Sequence, residues 1–362
     1  MLINFCVHGQ EKIEKLVSPE INYWGKWKVG VGGNTYSDLT DSETSASGSL
    51  DILGGINLTN WLNLKADVSV VGRSGYSQQR FGRDTLESGI NINESIIELK
   101  PISFFKLDAG IINQSFLNSP LLISSRPFPG LRETLMFENN IFKAQLIAQQ
   151  AIATSRSLDT NRSQKEETPR FDSQTFNLSF EPFKKSTEIS LSASRFKFGK
   201  LPSSVADTSR TLGNTVPFSS PAQSEFAFDY KGFLYSLSGK QKINKNFKLD
   251  AQAQLLKNTQ AASALSRGFL AEVGGSFYFD DHHLRLAMNN FFNEADSSPA
   301  YYNSSSLGHN NVKGNSYLAA FTYRNLFTLN IGYTESEVIT PNLVNTNREN
   351  LQISLETQYV DF

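Results

Sequence analysis

The sequence predicts an all-β fold: a transmembrane antiparallel β-barrel of about sixteen strands, with fourteen or eighteen as the alternatives. From Glu20 onward, segments of about ten residues alternate apolar and polar side chains, which is the length and period of a tilted strand that crosses a bilayer. Short and long connections separate these segments in turn. The last segment, Leu351 to Tyr359, alternates in the same way and leads to a carboxy-terminal Phe362.

The composition is compatible with such a barrel and unfavourable for a helical membrane protein. Mean hydropathy is -0.32, and hydrophobic residues make up 39% of the chain. The sequence lacks the run of about 20 mostly apolar residues that a spanning helix needs. A barrel gives every second side chain to a polar lumen, so a low mean hydropathy is expected of it. The formal net charge of -1 argues against a nucleic-acid partner.

The chain divides into a short leader and one domain. In residues 1–19, Val7-His8-Gly9 resembles a signal-peptidase site, which predicts a signal-peptide remnant followed by a periplasmic segment. A short disordered start is the alternative. Residues 20–362 contain no linker or charge block and are expected to form the barrel alone. Cys6 is the only cysteine, which excludes an intrachain disulfide and a cysteine-based metal site.

The strand pattern is clearest in the second and third predicted strands. One face is apolar, carrying Leu50, Ile52, Gly54, Ile56 and Leu58 before the turn at Thr59-Asn60, then Leu62, Leu64, Ala66, Val68 and Val70 after it. The intervening residues, such as Asn63, Lys65 and Asp67, are polar. The apolar face is expected to meet lipid and the polar face to line the lumen. The same alternation recurs after Phe105, Phe142, Phe247 and Phe327.

The connections mark the two ends of the predicted barrel. The short ones lie near Thr59-Asn60, Lys100-Pro101, Asn139-Asn140, Pro182 to Lys185, Asn244 to Asn246, Asp280-Asp281 and Arg324-Asn325. The long polar ones are 33–46, 73–86, 154–170, 198–223, 294–314 and 339–348. Aromatic residues such as Trp61 and Phe104 flank the short turns, as in the aromatic girdle of a membrane barrel. The stretch Glu225 to Ile243 changes phase, so it is either one bulged strand or a hairpin.

One long connection differs from the others. The segment Gln114 to Gly130, after the fifth strand, is apolar and contains three prolines. An apolar connection is poorly solvated outside the barrel, so we expect it to pack against protein, folded into the barrel mouth.

In the position of this segment and in the terminal Phe362, the chain resembles the bacterial outer-membrane porins. The resemblance implies an outer-membrane location, both termini in the periplasm and passive diffusion of small hydrophilic solutes or ions. It also implies a pore narrowed by the inward loop, recognition by the barrel-assembly machinery through the strand ending at Phe362, and a possible homotrimer. The expected surroundings are outer-membrane lipid and lipopolysaccharide.

The residues that would set the pore follow from their positions. Candidates for the constriction are Arg126, Phe128, Arg132 and Glu133. Candidates for the lumen lining, from strand phase, are Lys26, Lys28, Lys65, Asp67, Lys106, Asp108 and Arg285. Charges of this kind select solutes in channels. The alternative is that Arg126 and Arg132 only bond the loop to the barrel wall, because buried charges are normally paired.

Other functional classes find little support. Asp280 to His283 could supply metal ligands, but it lies where a tight turn is needed, so no metal site is predicted. His309 has no nucleophile positioned beside it, so we expect neither an enzyme nor a cofactor. The main alternative to a channel is a barrel plugged by its own loop, with a surface binding, adhesion or structural role.

Overall fold

The computed structural model describes residues 21–38, 41–78, 88–124, 126–139, 141–155, 166–183, 186–217, 220–341 and 346–362. The predicted leader, residues 1–19, lies outside this part of the chain. The strands are β1 (Asn22–Ser37), β2 (Ser42–Asn57), β3 (Leu62–Gln78), β4 (Gly89–Ile102), β5 (Phe105–Asn113), β6 (Pro127–Glu138), β7 (Phe142–Ala151), β8 (Arg170–Phe183), β9 (Thr187–Gly199), β10 (Lys231–Lys242), β11 (Phe247–Asn258), β12 (Arg267–Phe279), β13 (His282–Asn293), β14 (Val312–Tyr323), β15 (Phe327–Val338), β16 (Arg348–Thr357) and β17 (Val360–Asp361).

The strands form one closed antiparallel barrel. Each strand from β1 to β16 pairs with the next in sequence, and β1 also pairs with β16, for example Gly30 with Glu356. The two-residue β17 continues the line of β16 and pairs with β1 through Lys26 and Asp361. The barrel therefore has sixteen strands, as predicted. Because the sheet closes on itself, it has no free edge strand. A sheet that spans a membrane must be closed in this way.

The uncertain stretch before residue 243 resolves into a loop and one strand. The strand β10 begins at Lys231, and residues 224–230 are not part of any strand. Phe226 packs edge-on against Tyr230, with ring centroids 5.0 Å apart. The change of apolar phase is therefore the junction between a loop that packs inside the barrel and a strand that crosses the membrane.

The two faces of each strand match their surroundings. On β11, the outward Leu249 and Leu255 are 41% and 56% exposed in the isolated chain, whereas the inward Gln254 is completely buried. A soluble protein would show the reverse, with leucine inside. Outward apolar side chains are satisfied by lipid, and this accounts for the alternation along the sequence.

The short turns lie at one end of the barrel. The start of β1 and the end of β17 lie at the same end. Asp280, Arg324 and Asn325 take left-handed backbone conformations in these turns, with φ of 50°, 46° and 53°. The expected turn at Lys100-Pro101 lies at residues 103–104 instead, because a register shift between Leu99 and Ile102 lengthens β4.

At the other end, strands extend beyond the apolar band. The connection expected over residues 33–46 shrinks to 38–41, since β1 and β2 stay paired as far as Ser37 and Ser42. Polar residues with a period of two can continue a ladder above the membrane, so polarity alone did not mark the strand ends. In the described part of the chain, no helix has the length and apolar character to cross a bilayer.

Candidate functional site in the lumen

The described residues of the segment 114–126 turn into the barrel directly after β5. The segment begins with a 3-10 turn over Gln114–Leu117, in which the Asn113 side chain accepts a hydrogen bond from the Ser115 amide at 2.8 Å. Its apolar side chains are almost fully buried: Leu117, Leu121, Leu122 and Ile123 are 0–3% exposed. Burial of these groups provides the driving force for the inward path.

This segment reaches the far wall and a second long connection. The Gln254 amide on β11 donates to the Asn118 carbonyl oxygen. The Ser298 hydroxyl donates to the Leu121 carbonyl oxygen at 2.7 Å, and the Ser124 amide to that of Tyr302 at 2.9 Å. The segment is thus held between β5, β11 and residues 294–311.

A third connection, residues 200–230 with the helix α1 (Ser203–Thr211), completes this arrangement. The Asn214 side chain donates to the carbonyl oxygens of Ala295 and Ser298 at 2.6 and 2.9 Å. We call the described residues of 114–126, 200–230 and 294–311 the loop layer. Its aromatic centre is Tyr302, which stacks on Phe198 and meets Phe128 edge-on, each at a centroid distance of 5.4 Å.

The loop layer rests on an apolar patch of the inner wall that the sequence analysis missed. Leu234, Leu256, Leu270 and Phe291, on β10 to β13, face inward and are 1–2% exposed. Each lies next to an outward apolar residue: Phe233, Leu255, Phe269 and Phe292. Adjacent apolar pairs near the long-connection ends of four consecutive strands were the available signal, because they show where both faces of the wall become apolar.

Burial changes the pKa of two titratable side chains in the loop layer. The His309 Nδ1 lies 2.9 Å from the Asn303 Oδ1 and 3.0 Å from the Ala300 carbonyl oxygen, so it carries the proton that donates to them. Burial, helped by Arg348 and Arg126, lowers the His309 pKa to about 3. Burial raises the pKa of Asp296, although hydrogen bonds from Thr215, Asn214 and Tyr230 oppose that rise.

Charged side chains line the inner wall nearer the short turns. The carboxylate of Asp108 is completely buried and accepts hydrogen bonds from Arg132 Nε and Nη2 at 3.0 and 2.8 Å. The Lys106 Nζ lies 2.9 Å from the same oxygen. Arg132 also donates to the Asn113 carbonyl oxygen at 3.4 Å and lies 5.2 Å from the centre of the Phe116 ring. Arg132 therefore joins the wall to the inward segment.

Next to Asp108, the buried carboxylate of Glu98 forms ion pairs with three lysines. The Nζ atoms of Lys65, Lys100 and Lys106 lie 2.9, 3.0 and 3.6 Å from its oxygens. The side chains of Lys65 and Lys100 keep 33% and 40% of their surface exposed to the lumen. We call this group the basic ladder; it comprises Lys65, Lys100, Lys106 and Arg132 with the carboxylates of Glu94, Glu98 and Asp108. Sequence reasoning missed Glu98 and Lys100, although both lie on the polar phase of β4.

A smaller cluster lies on the opposite wall. Arg285 bridges Asp250 at 2.8 Å and Glu272 at 2.5 Å. Near the barrel seam, Lys28 pairs with Glu356 at 2.8 Å and lies 3.6 Å from Asp51. The remaining lumen candidates have polar partners too: Lys26 pairs with Asp361 at 3.2 Å, and Asp67 accepts from Asn93 at 3.0 Å.

The four candidates for the constriction lie in different parts of the structure. Arg126 lies over the Tyr301 ring at 4.5 Å, within the loop layer. Phe128 is fully buried in the aromatic centre, so it does not line open space. Glu133 is wrongly placed by the sequence analysis: it lies on the outer face, paired with Leu107 and Ala148. Successive strand residues face opposite sides, so Arg132 and Glu133 cannot both line the lumen.

The described part of this site contains no cluster of metal-ligating side chains. Among the described residues, no three histidine, cysteine, aspartate or glutamate side chains converge on one point.

Solved structures with a similar fold were found, although their sequences have diverged far. A loop-deletion mutant of OmpT, an outer membrane protein of Vibrio cholerae, aligns with a TM-score of 0.55 and 8% identity over 93% of this chain and 99% of its own. OprB of Pseudomonas putida gives 0.55 and 12%, over 94% of each chain. OmpF of Salmonella typhi, in a complex with daunomycin, gives 0.50 and 12%, over 93% and 97%.

No protein-family model and no curated protein sequence matches the chain. The structural likenesses cover nearly the whole of both partners in each comparison, so they describe the complete barrel and not one hairpin. The chain has the fold of the bacterial outer-membrane porins, a closed barrel of sixteen antiparallel strands.

Proposed function

We propose that this protein is an outer-membrane channel for the passive diffusion of small hydrophilic solutes or ions, with no cofactor and no catalytic step. The observation that carries the proposal is the basic ladder, whose lysines stay partly exposed to the lumen. A closed structural barrel has no need of charges on its inner wall, since burying them is costly. In a water-filled lumen the same charges are tolerated and select solutes.

The water path in this proposal runs beside the loop layer. The layer packs on the inner faces of β10 to β13, through Leu234, Leu256 and Phe291. The inner faces of β2, β15 and β16 carry small or polar side chains that remain partly exposed, such as Ser47, Ser49, Asn330 and Ser354. The segment 114–126 would narrow this path from one side and the basic ladder would set the local field. Both chain termini would lie in the periplasm, at the end with the short turns.

The charged side chains around the constriction determine the sign of that field. The segment 114–126 contains no aspartate or glutamate. The basic ladder holds four cations against three carboxylates, and Glu98 and Asp108 are buried behind them. We therefore propose a weak preference for anions.

The dependence of uptake on solute size tests the diffusion path. Proteoliposomes containing the refolded full chain should swell in isotonic solutions of small sugars, and the swelling rate should fall as sugar size increases. Liposomes with the heat-unfolded protein serve as the control. Swelling no faster than that control with the smallest sugar would contradict the proposal.

A plugged barrel with a surface role is the second candidate. The observation in its favour is the density of the loop layer, in which Asn214, Asp296, Ser298, Asn303 and Asn310 are each 0–6% exposed and joined by hydrogen bonds. Such a layer could seal the lumen. The swelling test separates the two functions, because a sealed barrel admits none of the sugars.

A further inference from the structure

One part of the lumen wall consists of short, uncharged side chains that can form hydrogen bonds. It lies on the inner faces of β8, β9 and β10, on the short-turn side of the apolar patch that supports the loop layer. These side chains share the inward phase of Ser194 and Leu234, which are 3% and 1% exposed. We call the group the hydroxyl wall; its members, all partly exposed, are Asn177, Ser179, Ser190, Ser192, Ser236 and Ser238.

The strand register makes the hydroxyl wall continuous. In one row Asn177 pairs with Ser192, and Ser192 pairs with Ser236. The other three members pair in the same way, one row nearer the short turns. Neighbouring strands lie about 4.8 Å apart, and successive inward residues of one strand lie about 6.7 Å apart. The six side chains therefore form a grid on which one solute molecule can contact several of them.

Most of the hydrogen-bonding capacity of the wall is unused within the protein. The hydroxyl oxygens of Ser179 and Ser190 lie 2.9 Å apart and bond to each other. The side chains of the other four members form no hydrogen bond to any residue that the structure describes. A serine hydroxyl donates one hydrogen bond and accepts up to two. The wall thus offers both donors and acceptors to molecules in the lumen.

The hydroxyl wall carries no charge, and the charged residues that border it toward the short turns are paired. Lys240 on β10 lies 3.4 Å from Glu188 on β9, and Lys143 on β7 lies 3.8 Å from Glu138 on β6. An ion beside the wall therefore gains little attraction from it. A neutral solute with several hydroxyl groups can exchange its hydrogen bonds to water for hydrogen bonds to the wall.

The wall adjoins the inward segment. Ser236 pairs with Gln254 on β11, and the Gln254 amide donates to the Asn118 carbonyl oxygen of the segment 114–126. From this contact the wall extends toward the short turns. A solute that passes the segment toward that end of the barrel therefore meets the wall next.

We propose that the hydroxyl wall is a weak binding site for neutral polyhydroxylated solutes, the chemical class of small sugars and polyols. The inference rests on the channel function proposed above and names a solute class for it. Short side chains leave room for a solute ring. None of the six members is aromatic, so a bound solute is held by hydrogen bonds alone and can leave again, as passage through a channel requires.

Titration of the ion current with a sugar tests the site. Many copies of the refolded full chain are inserted into a planar bilayer, and the current is recorded while glucose is added to both sides. The current should fall to a plateau, because bound glucose occupies part of the lumen. Triethylene glycol dimethyl ether, a neutral solute of similar mass without hydroxyl groups, should cause only the steady fall that viscosity produces.

Removal of two hydroxyl groups from the centre of the wall should weaken the site. In a Ser192→Ala, Ser236→Ala double variant, the glucose concentration that gives half the effect should rise about tenfold, as expected for two lost hydrogen bonds. The current without glucose should stay as in the wild type. The matched control is Ser37→Ala with Ser74→Ala, on the outer faces of β1 and β3, and should keep the wild-type response to glucose.

The possible results separate the site from the channel itself. The absence of any current from folded protein would overturn the channel function and the site with it. A current that glucose and the ether reduce alike would overturn the site alone. A double variant with the wild-type response to glucose would do the same, because the hydroxyl groups would then make no contact with the sugar.

Discussion

The carboxylate of Asp108 shows how one buried charge organises the inner wall. It is completely buried, and both Arg132 and Lys106 lie within 3.0 Å of it. Loss of one partner from a buried ion pair leaves the other uncompensated, at a cost of about 3–5 kcal/mol. Asp108 therefore fixes the cations, and the more exposed Lys65 and Lys100 carry the field into the lumen.

Selectivity should respond to those two lysines. Replacing Lys65 and Lys100 with glutamine removes two of the four cations of the basic ladder and leaves its three carboxylates. The reversal potential in a salt gradient should shift toward cation preference. Lys313→Gln, on an outward position of β14 and paired with Glu337, is the matched control and should leave the reversal potential unchanged. Identical reversal potentials for all three proteins would place the pore elsewhere.

At the scale of the strand, alternation makes a prediction about lipid contact. Val273 faces outward on β12, is 64% exposed and lies six residues from the turn at Phe279. Val273→Arg should weaken folding into lipid by about 2–4 kcal/mol, the cost near the midplane. Leu249→Arg and Leu329→Arg, each two residues from a short turn, should cost only about 0–1 kcal/mol. Gln252→Arg, inward and paired with Glu272, should be tolerated.

Urea unfolding of the barrel in lipid vesicles measures these differences. A Val273→Arg variant as stable as the Gln252→Arg variant would contradict the assignment of lipid and lumen faces on β11 and β12, and the reverse order of stability would show that the two faces had been interchanged.

The inward segment is held mainly by its apolar side chains. Replacing Leu121, Leu122 and Ile123 by serine removes three groups that are 0–3% exposed, while Pro127 and Phe128 keep their pairing in β6. The segment should leave the lumen part of the time, and mean single-channel current should rise.

Two exposed apolar residues in other long connections provide the control for this change. Ile152, just after β7, and Ile339, just after β15, are 44% and 36% exposed. Serine at both positions should leave the current as it is in the wild type, because neither side chain holds a segment inside the lumen. A current that also stays unchanged when the three buried residues are replaced would show that the inward segment does not narrow the pore.

His309 gives the loop layer a dependence on pH. Its pKa is lowered to about 3 in the folded layer, from about 6.5 in an exposed histidine. The stabilisation from the neutral ring is therefore complete above about pH 6.5 and is lost as pH falls toward 3. Acidification should loosen the layer and raise the current, with the facing cations Arg348 and Arg126 adding to the effect. His309→Gln should flatten the curve of current against pH between about 6.5 and 4; superimposable curves for the two proteins would refute this role.

For the whole molecule, the periodicity predicted the barrel well because lipid and water demand opposite side chains at successive positions. The phase of β3, β5 and β11 was predictable for that reason, and with it the inward direction of Lys65, Asp108 and Asp250. The strand ends of β1 and β2 were not, since polar residues form ladders equally well above the membrane.

Two features depend on contacts between distant parts of the chain. The position of the segment 114–126 could be expected from its apolar character, but its contacts with Gln254 and Ser298 lie 136 and 177 residues away in sequence. Glu133 was misplaced because its proximity to the loop in sequence was given more weight than its phase relative to Arg132. The basic ladder combines four strands, so only the three-dimensional register could bring Lys65 and Lys100 to one carboxylate.

The central claim, that a continuous water path crosses this barrel, is tested most directly by single-channel recording of the refolded full chain in a planar bilayer. The account predicts stable ohmic current steps, with a reversal potential that indicates weak anion preference. The protein's heat-sensitive mobility on electrophoresis shows that the barrel is folded. If such folded protein gives no current, the result would contradict the account and favour the plugged alternative.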